Sequence, residues 1–280
     1  MPGKMYRSRR MAFFVCIFCM QMNVMASGSI GLQFSQDSTQ VRYQQLDLDS
    51  DVSKHDALQV EVGHLSSADA SDLDVDHWQI GVTHKFSDTL SVAAHAGFLG
   101  KQNDIEINRY GLDINWNRGD WWFGVLPEYA DITLFVNPRF GVSRQYETSS
   151  TRLGISVAYT GIRDWEMGLD LSATNYEKDP TVLASRLASA VLSSKALLVS
   201  SGLEKNSVAV HVTRQFESSD LTLSLNRLKS AVDQEYTDVA SMNWMLYSLD
   251  PYILSLEVGV MNSQALDTSE YGMIEVRYAW

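Results

Sequence analysis

From about residue 29 to the end, apolar and polar residues alternate with a period of two. Tyr252, Leu254, Leu256, Val258 and Val260 fall on one side of such a run, and Ser255, Glu257 and Gly259 on the other. Val208, Val210 and Val212 oppose Ala209, His211 and Thr213, and Trp165, Met167, Leu169 and Leu171 oppose Glu166, Gly168, Asp170 and Ser172. Successive strand side chains point to opposite faces, so each run predicts a β-strand with one apolar and one polar face. A soluble antiparallel sandwich satisfies that pattern, and so does a barrel with lipid outside and water inside.

Loop lengths and tryptophans separate the two. The alternation divides the chain into sixteen segments, among them 120–128, 130–136, 139–147 and 151–161. Most of the tightest connections then fall at the end that carries the C-terminus: Ser87-Asp88, Arg118-Gly119, Asn137-Pro138, Ser218-Ser219 and Asp250-Pro251. The longer ones, 67–76, 177–205, 231–237 and 263–270, fall at the other end. Membrane barrels sort their loops in this way, with short periplasmic turns, and a sandwich has no reason to. Trp78, Trp116, Trp121, Trp122, Trp165 and Trp280 sit near segment ends, where an indole would meet lipid headgroups. The fold expected is therefore all-β, a transmembrane antiparallel up-and-down barrel. Pro127 and Pro138 leave the strand number open: sixteen as laid out, fourteen if 120–147 is one long hairpin, twelve if a further pair is lost.

One segment breaks the alternation. Asp179-Pro180 is a favourable helix start, Leu183, Leu187 and Val191 recur at four-residue spacing, and Gly202 is a possible stop. Residues 177–205 are thus expected to hold a short amphipathic helix. It either folds into the lumen and narrows it or packs over the rim; an extra hairpin ending in 195–201 is the alternative.

The first 26 residues differ from the rest. Lys4, Arg7, Arg9 and Arg10 precede the apolar run 11–20, which is too short to span a bilayer, and Val24-Met25-Ala26 suits signal-peptide cleavage after Ala26. Residues 27–280 are then the barrel domain. The only two cysteines, Cys16 and Cys19, lie in the leader, which excludes disulfides and thiolate metal sites from the mature chain. The formal charge of −12 becomes −16 once the four basic residues of the leader are removed. So acidic a chain disfavours nucleic acid as a partner.

The chain ends on Tyr271-Gly-Met-Ile-Glu-Val-Arg-Tyr-Ala-Trp280, with Ile274, Val276, Tyr278 and Trp280 on one face. This ending resembles the terminal strand of Gram-negative outer-membrane β-barrel proteins. The resemblance implies export to the outer membrane, contact with its lipids and lipopolysaccharide, and reading of Ile274, Val276, Tyr278 and Trp280 by the barrel-assembly machinery.

Candidate chemistry is sparse. The polar faces carry Gln59, Glu61, Gln79, Lys85, Asp113, Asn115, Asp170, Thr213, Gln215, Glu257, Glu275 and Arg277, an acid-rich set that would line a water-filled channel and favour cations. His64 and Ser66 lie two apart on the apolar parity of an upward strand, where His64 would activate Ser66 as a nucleophile. That spacing resembles the outer-membrane lipid hydrolases, but Ser67 stands where their pattern has Asn. Asp47-Leu-Asp49-Ser-Asp51 starts like a calcium loop, then has Val52 and Leu58 where Gly and Glu are required. Asp69, Asp72, Asp74 and Asp76 read as a solvated loop, or as a cation bridge to lipopolysaccharide. No metal or cofactor is expected. The leading expectation is a passive channel or export conduit, not an enzyme; the alternatives are an outer-leaflet lipid hydrolase and a sealed, surface-presenting barrel.

Overall fold

The computed structural model describes residues 27–38, 40–67, 74–101, 105–136, 144–183, 203–232, 234–263 and 268–280. They form fourteen strands: β1 (Gly28–Asp37), β2 (Val41–Asp51), β3 (Asp56–Ser67), β4 (Asp74–Lys85), β5 (Leu90–Lys101), β6 (Ile105–Arg118), β7 (Trp121–Val136), β8 (Arg144–Ile162), β9 (Trp165–Tyr176), β10 (Glu204–Gln215), β11 (Ser219–Ser230), β12 (Tyr236–Leu249), β13 (Tyr252–Ser263) and β14 (Ser269–Ala279). Each strand pairs with its sequence neighbours, and β1 pairs with β14, so the sheet closes into a barrel. At the seam Ile30 lies opposite Tyr278, Leu32 opposite Val276 and Phe34 opposite Ile274. Closure leaves no strand edge with unpaired backbone groups, the condition for a sheet in hydrocarbon.

The strand number is fourteen, neither sixteen nor twelve. The four segments expected between 120 and 161 are two long strands, β7 of 16 residues and β8 of 19. Pro127 does not end β7, because proline removes one N–H and no more. It stays paired with Leu153 on β8, while the ladder to β6 steps from Gly111–Glu128 to Ile114–Val125. The rungs on either side carry the strand through the gap. Asn137-Pro138 consequently belongs to the β7–β8 connection at the end away from the termini, and residues 137–143 lie outside the described set.

The start of β1, the end of β14 and the connections 52–55, 86–89, 119–120, 163–164, 216–218 and 250–251 lie at one end of the barrel. At the other end, the connections range from 38–40 to 177–203. Among the described residues of that last connection the chain makes a 3-10 turn, Pro180–Leu183. The Asp179 carboxylate accepts the Thr181 N–H at 2.9 Å, a bond that holds its pKa below the usual value. Among the described residues there is no α-helix, and the remainder of the expected one falls on 184–202, outside them.

The outward face carries the apolar half of the alternation: Leu225 is 60% exposed and Val258 55%, values that suit contact with lipid rather than water. Aromatic rings gather at the short-turn end. Trp121 meets Tyr159 at 4.7 Å, Trp116 meets Phe123 at 5.6 Å, and Tyr278 meets both Tyr252 and Trp280. Arg214 lies over the Trp165 ring at 5.0 Å, a cation–π contact fitting a headgroup belt. Trp122 departs from the expectation. Its parity is inward, and it packs over Gly124 inside the barrel.

Candidate functional site

The described strands close around an interior, and cross-strand register decides which side chains meet there. Gly31, Asp47, Glu61, Gln79, Gly97 and Arg109 are successive inward neighbours across β1 to β6. Chain neighbours in sequence do not generate this row; the hydrogen-bonded ladders do.

Three inward histidines each sit beside carboxylates. His77 Nε2 lies 2.7 Å from Glu61 Oε1, and its ring stacks on Tyr43 with centroids 5.5 Å apart. His95 has Asp113 at 3.4 Å on one nitrogen and Glu128 at 3.8 Å on the other. His211 has Asp170 at 3.5 Å and Glu166 at 3.8 Å. Each ring lies against a glycine of the adjacent strand, Gly63, Gly111 or Gly168, where any Cβ would overlap the imidazole. The absent side chain lets the ring reach its carboxylate while staying against the wall.

Arginines neutralise part of the remaining charge. Arg277 meets Asp47 and Asp49 at 2.8 Å and Glu275 at 2.9 Å, and Arg152 meets Glu204 at 2.6 Å. Tyr271 donates to Glu257 at 2.6 Å. Of the lumen candidates read from sequence, Glu61, Asp113, Asp170, Glu257, Glu275 and Arg277 are thus brought into inward contacts. Lys85 lies exposed at the end of β4, beside a turn.

The polarity of the wall reverses toward the long-loop end of β2 to β7. There Val41, Leu65, Val75, Leu99, Ile105, Ile107 and Ile132 point inward and are buried. The outward positions interleaved with them are Arg42, His64, Asp76, Glu106, Asn108 and Asp131. Leu203 and Val232, beside the ends of β10 and β11, join the same cluster, and Tyr43, Tyr146 and Tyr176 pack against it. This departs from the uniformly polar inner face that the alternation predicts. These strand ends carry an inner apolar core and an outer polar surface, as a barrel wall standing in water would. A cavity of about 230 Å³ lies where the polar and apolar parts meet, lined by Tyr43, Glu61, Leu65, Val75, His77 and Arg109 among others.

His64 and Ser66 face outward on β3, as their parity predicts. His64 is held by β4: its Nδ1 lies 2.8 Å from Asp76 Oδ1 and its Nε2 3.6 Å from Asp74 Oδ1. The sequence offers Asp69 and Asp76 only as carboxylates near in sequence to this histidine, without a clear orienting role for either; the β3–β4 register sets Asp76 against it. Register also sets the histidine–glycine arrangements, which is why they were missed. They have no linear spacing, and their one signal is a carboxylate two residues from glycine, as in Glu61-Val-Gly63 and Glu166-Met-Gly168. Asp69 and Asp72 lie outside the described residues. Among those described, no group of three or more His, Cys, Asp or Glu side chains is arranged to hold a metal ion.

No family model matches the chain, and no curated protein is similar to it in sequence. Among solved structures it is similar to a loop-deletion mutant of OmpT, an outer membrane protein of Vibrio cholerae. That likeness has 11% identity and a TM-score of 0.51, and covers 91% of this chain and 99% of that one. The fold this chain shares with that protein is a closed antiparallel β-barrel. Two porins are also similar: NanC, at 8% identity with 89% and 98% of the two chains covered and a TM-score of 0.49, and KdgM, at 9% identity with 90% and 99% covered and a TM-score of 0.47. At such identities the likeness concerns the barrel alone.

Proposed function

We propose that this barrel is a narrow outer-membrane channel for small solutes or ions, with a preference for cations. The observation that carries the reading is the interior itself: a closed wall whose inward carboxylates, Asp47, Glu61, Asp113, Asp170, Glu257 and Glu275 among them, outnumber the arginines set against them. Fixed charge of one sign in a confined aqueous path raises the local concentration of counter-ions. The path runs along the side of the lumen away from the apolar cluster, which occupies the long-loop end of β2 to β7 and extends to Leu203 and Val232 beside β10 and β11. In this reading the first 26 residues are an export signal and the short-turn end is periplasmic. Lipopolysaccharide surrounds the far rim, and Ile274, Val276, Tyr278 and Trp280 serve assembly.

Conductance of the folded barrel in a planar bilayer tests the reading. Discrete steps with a cation-favouring reversal potential are expected; an anion-favouring potential would sink the charge argument. The apolar cluster favours a second reading, a sealed barrel that presents its loops. Insertion without conductance would select it.

A further inference from the structure

We propose that the cavity on the inner wall of β2 to β6 binds a small zwitterion with an aliphatic group, of the free amino acid class. The proposal deepens the channel reading and rests on it, since the solute reaches the site through the lumen.

The cavity owes its existence to one glycine. Among the described residues, inward Gly31 lies under Asp47, Gly63 under His77, Gly111 under His95, Gly168 under His211 and Gly259 under Tyr271. Gly97 is different. A Cβ placed there would find the Trp78 carbonyl oxygen at 3.0 Å and the Gln79 Cβ at 3.6 Å, atoms of the adjacent strand, with no ring or carboxylate laid over it. The inward layer of side chains is thus missing one member between Gln79 and Arg109, and the cavity of about 230 Å³ lies there. Sites for drug-sized ligands measure about 300–1,000 Å³, and a water takes about 30 Å³. The space suits a molecule of about eight heavy atoms.

The lining divides into three parts. Glu61 of β3 stands on one flank of Gly97 and Arg109 of β6 on the other. Leu65, Val75 and Leu99, all buried, form the end toward the long loops. One small molecule in this space therefore meets a carboxylate, a guanidinium and an aliphatic surface. Its complement carries an ammonium, a carboxylate and an aliphatic group.

Glu61 is held ready for its part. His77 Nε2 lies 2.7 Å from Oε1, the Tyr43 hydroxyl lies 3.1 Å from the same nitrogen, and the two rings stack. A carboxylate accepts through two oxygens, so the His77 contact leaves Oε2 to accept from an ammonium. Arg109 has five N–H donors, enough to serve both the wall and a ligand carboxylate. The surrounding charge narrows the class further. A simple carboxylic acid is repelled by the acid-rich lumen, and a simple amine meets Arg109 as a like charge. A zwitterion escapes both penalties.

The test titrates the full folded barrel in detergent micelles by calorimetry. The probes are leucine and three analogues that each lack one feature: isocaproate has no ammonium, isopentylamine no carboxylate and glycine no aliphatic group. Leucine should bind saturably, and each analogue at least ~10-fold more weakly, as expected for one lost charge-assisted bond or one unburied aliphatic group. Arg109→Gln should weaken leucine by ~10-fold or more without weakening isopentylamine. Glu61→Gln should do the same to leucine without weakening isocaproate. Heat-modifiable gel migration shows whether each variant folds, and the analogue series on the unaltered barrel decides the matter if one does not. Equal binding of leucine and isocaproate overturns the proposal. So does a folded barrel that gives no saturable heat with millimolar leucine. Conductance is recorded separately: binding without conductance counts against the channel and for the site, and conductance without binding counts against the site alone.

Discussion

Arg277 on the last strand reaches Asp47 on the second across Gly31 of the first, with Nη2 and Oδ2 2.8 Å apart. A Cβ at Gly31 would strike that carboxylate, so the glycine opens the route. The Asp47 contact is an ion pair without hydrogen-bond alignment, whereas Nη1 of the same guanidinium donates to Asp49 at 2.8 Å and to Ser29 at 3.2 Å. Three strands, β14, β1 and β2, are tied at the place where the barrel closes.

Arg277→Ala should therefore weaken closure. Removing one partner of a fully buried pair costs about 3–5 kcal/mol. Asp47 is 6% exposed but Arg277 is 31% exposed to the lumen, and water there reduces the loss to about 1–3 kcal/mol. Urea titration read by heat-modifiable gel migration measures it. An unchanged midpoint would show that the backbone ladder alone holds the seam.

Gly31→Val should reproduce part of that loss without touching a charge, by displacing the Asp47 carboxylate. The double variant Gly31→Val/Arg277→Ala should then be less destabilised than the sum of the two singles, because both break the same contact. Additive midpoints in the same titration would separate the glycine from the ion pair.

The reversal of wall polarity predicts opposite tolerance at two outward positions. Arginine at Val258, in the apolar band of β13, should cost about 2–4 kcal/mol near the bilayer midplane. Arginine at Asn108, beyond the reversal on β6, should cost about 0–1 kcal/mol. Refolding equilibria into lipid vesicles compare the two, and equal costs would place both residues at one depth.

Inside the reversed region, Ile107 is 1% exposed and should behave as a core residue. Ile107→Ala is expected to lose about 2–5 kcal/mol, as large-to-small changes in packed cores do. A residue facing a water-filled lumen would lose almost nothing. Chemical unfolding again gives the answer, and single-channel recording shows whether the path widens.

Removing inward charge should move selectivity. Asp170→Asn combined with Glu257→Gln takes two inward carboxylates from β9 and β13, so the cation preference should fall and the reversal potential in a salt gradient should move toward zero. A potential that stays fixed would mean that ions pass elsewhere.

Much of this was legible in the sequence, because strand parity is a property of the local chain. Tyr252 to Val260 and Ile274 to Trp280 each present one apolar side whatever strand lies beside them, and short connections such as Arg118-Gly119 mark one end of the barrel. The inward assignment of Glu61, Asp113, Asp170, Glu257, Glu275 and Arg277 follows from the same alternation. Strand number did not follow from it. Whether Pro127 ends a strand depends on the rungs that β6 and β8 supply, and no local pattern contains those.

Period two by itself thus determined that the chain forms strands with an outer and an inner face, and the apolar outer residues with their aromatic ends pointed to lipid. The tertiary structure alone decided what meets what. Register, carried from ladder to ladder around a closed sheet, set His64 beside Asp76, His211 beside Asp170 and Arg277 beside Asp47. It also gathered the inward Leu65, Ile107 and Ile132 into one apolar cluster. Alternation fixes the direction of a side chain, but the partner it finds depends on the stagger of strands that are distant in sequence.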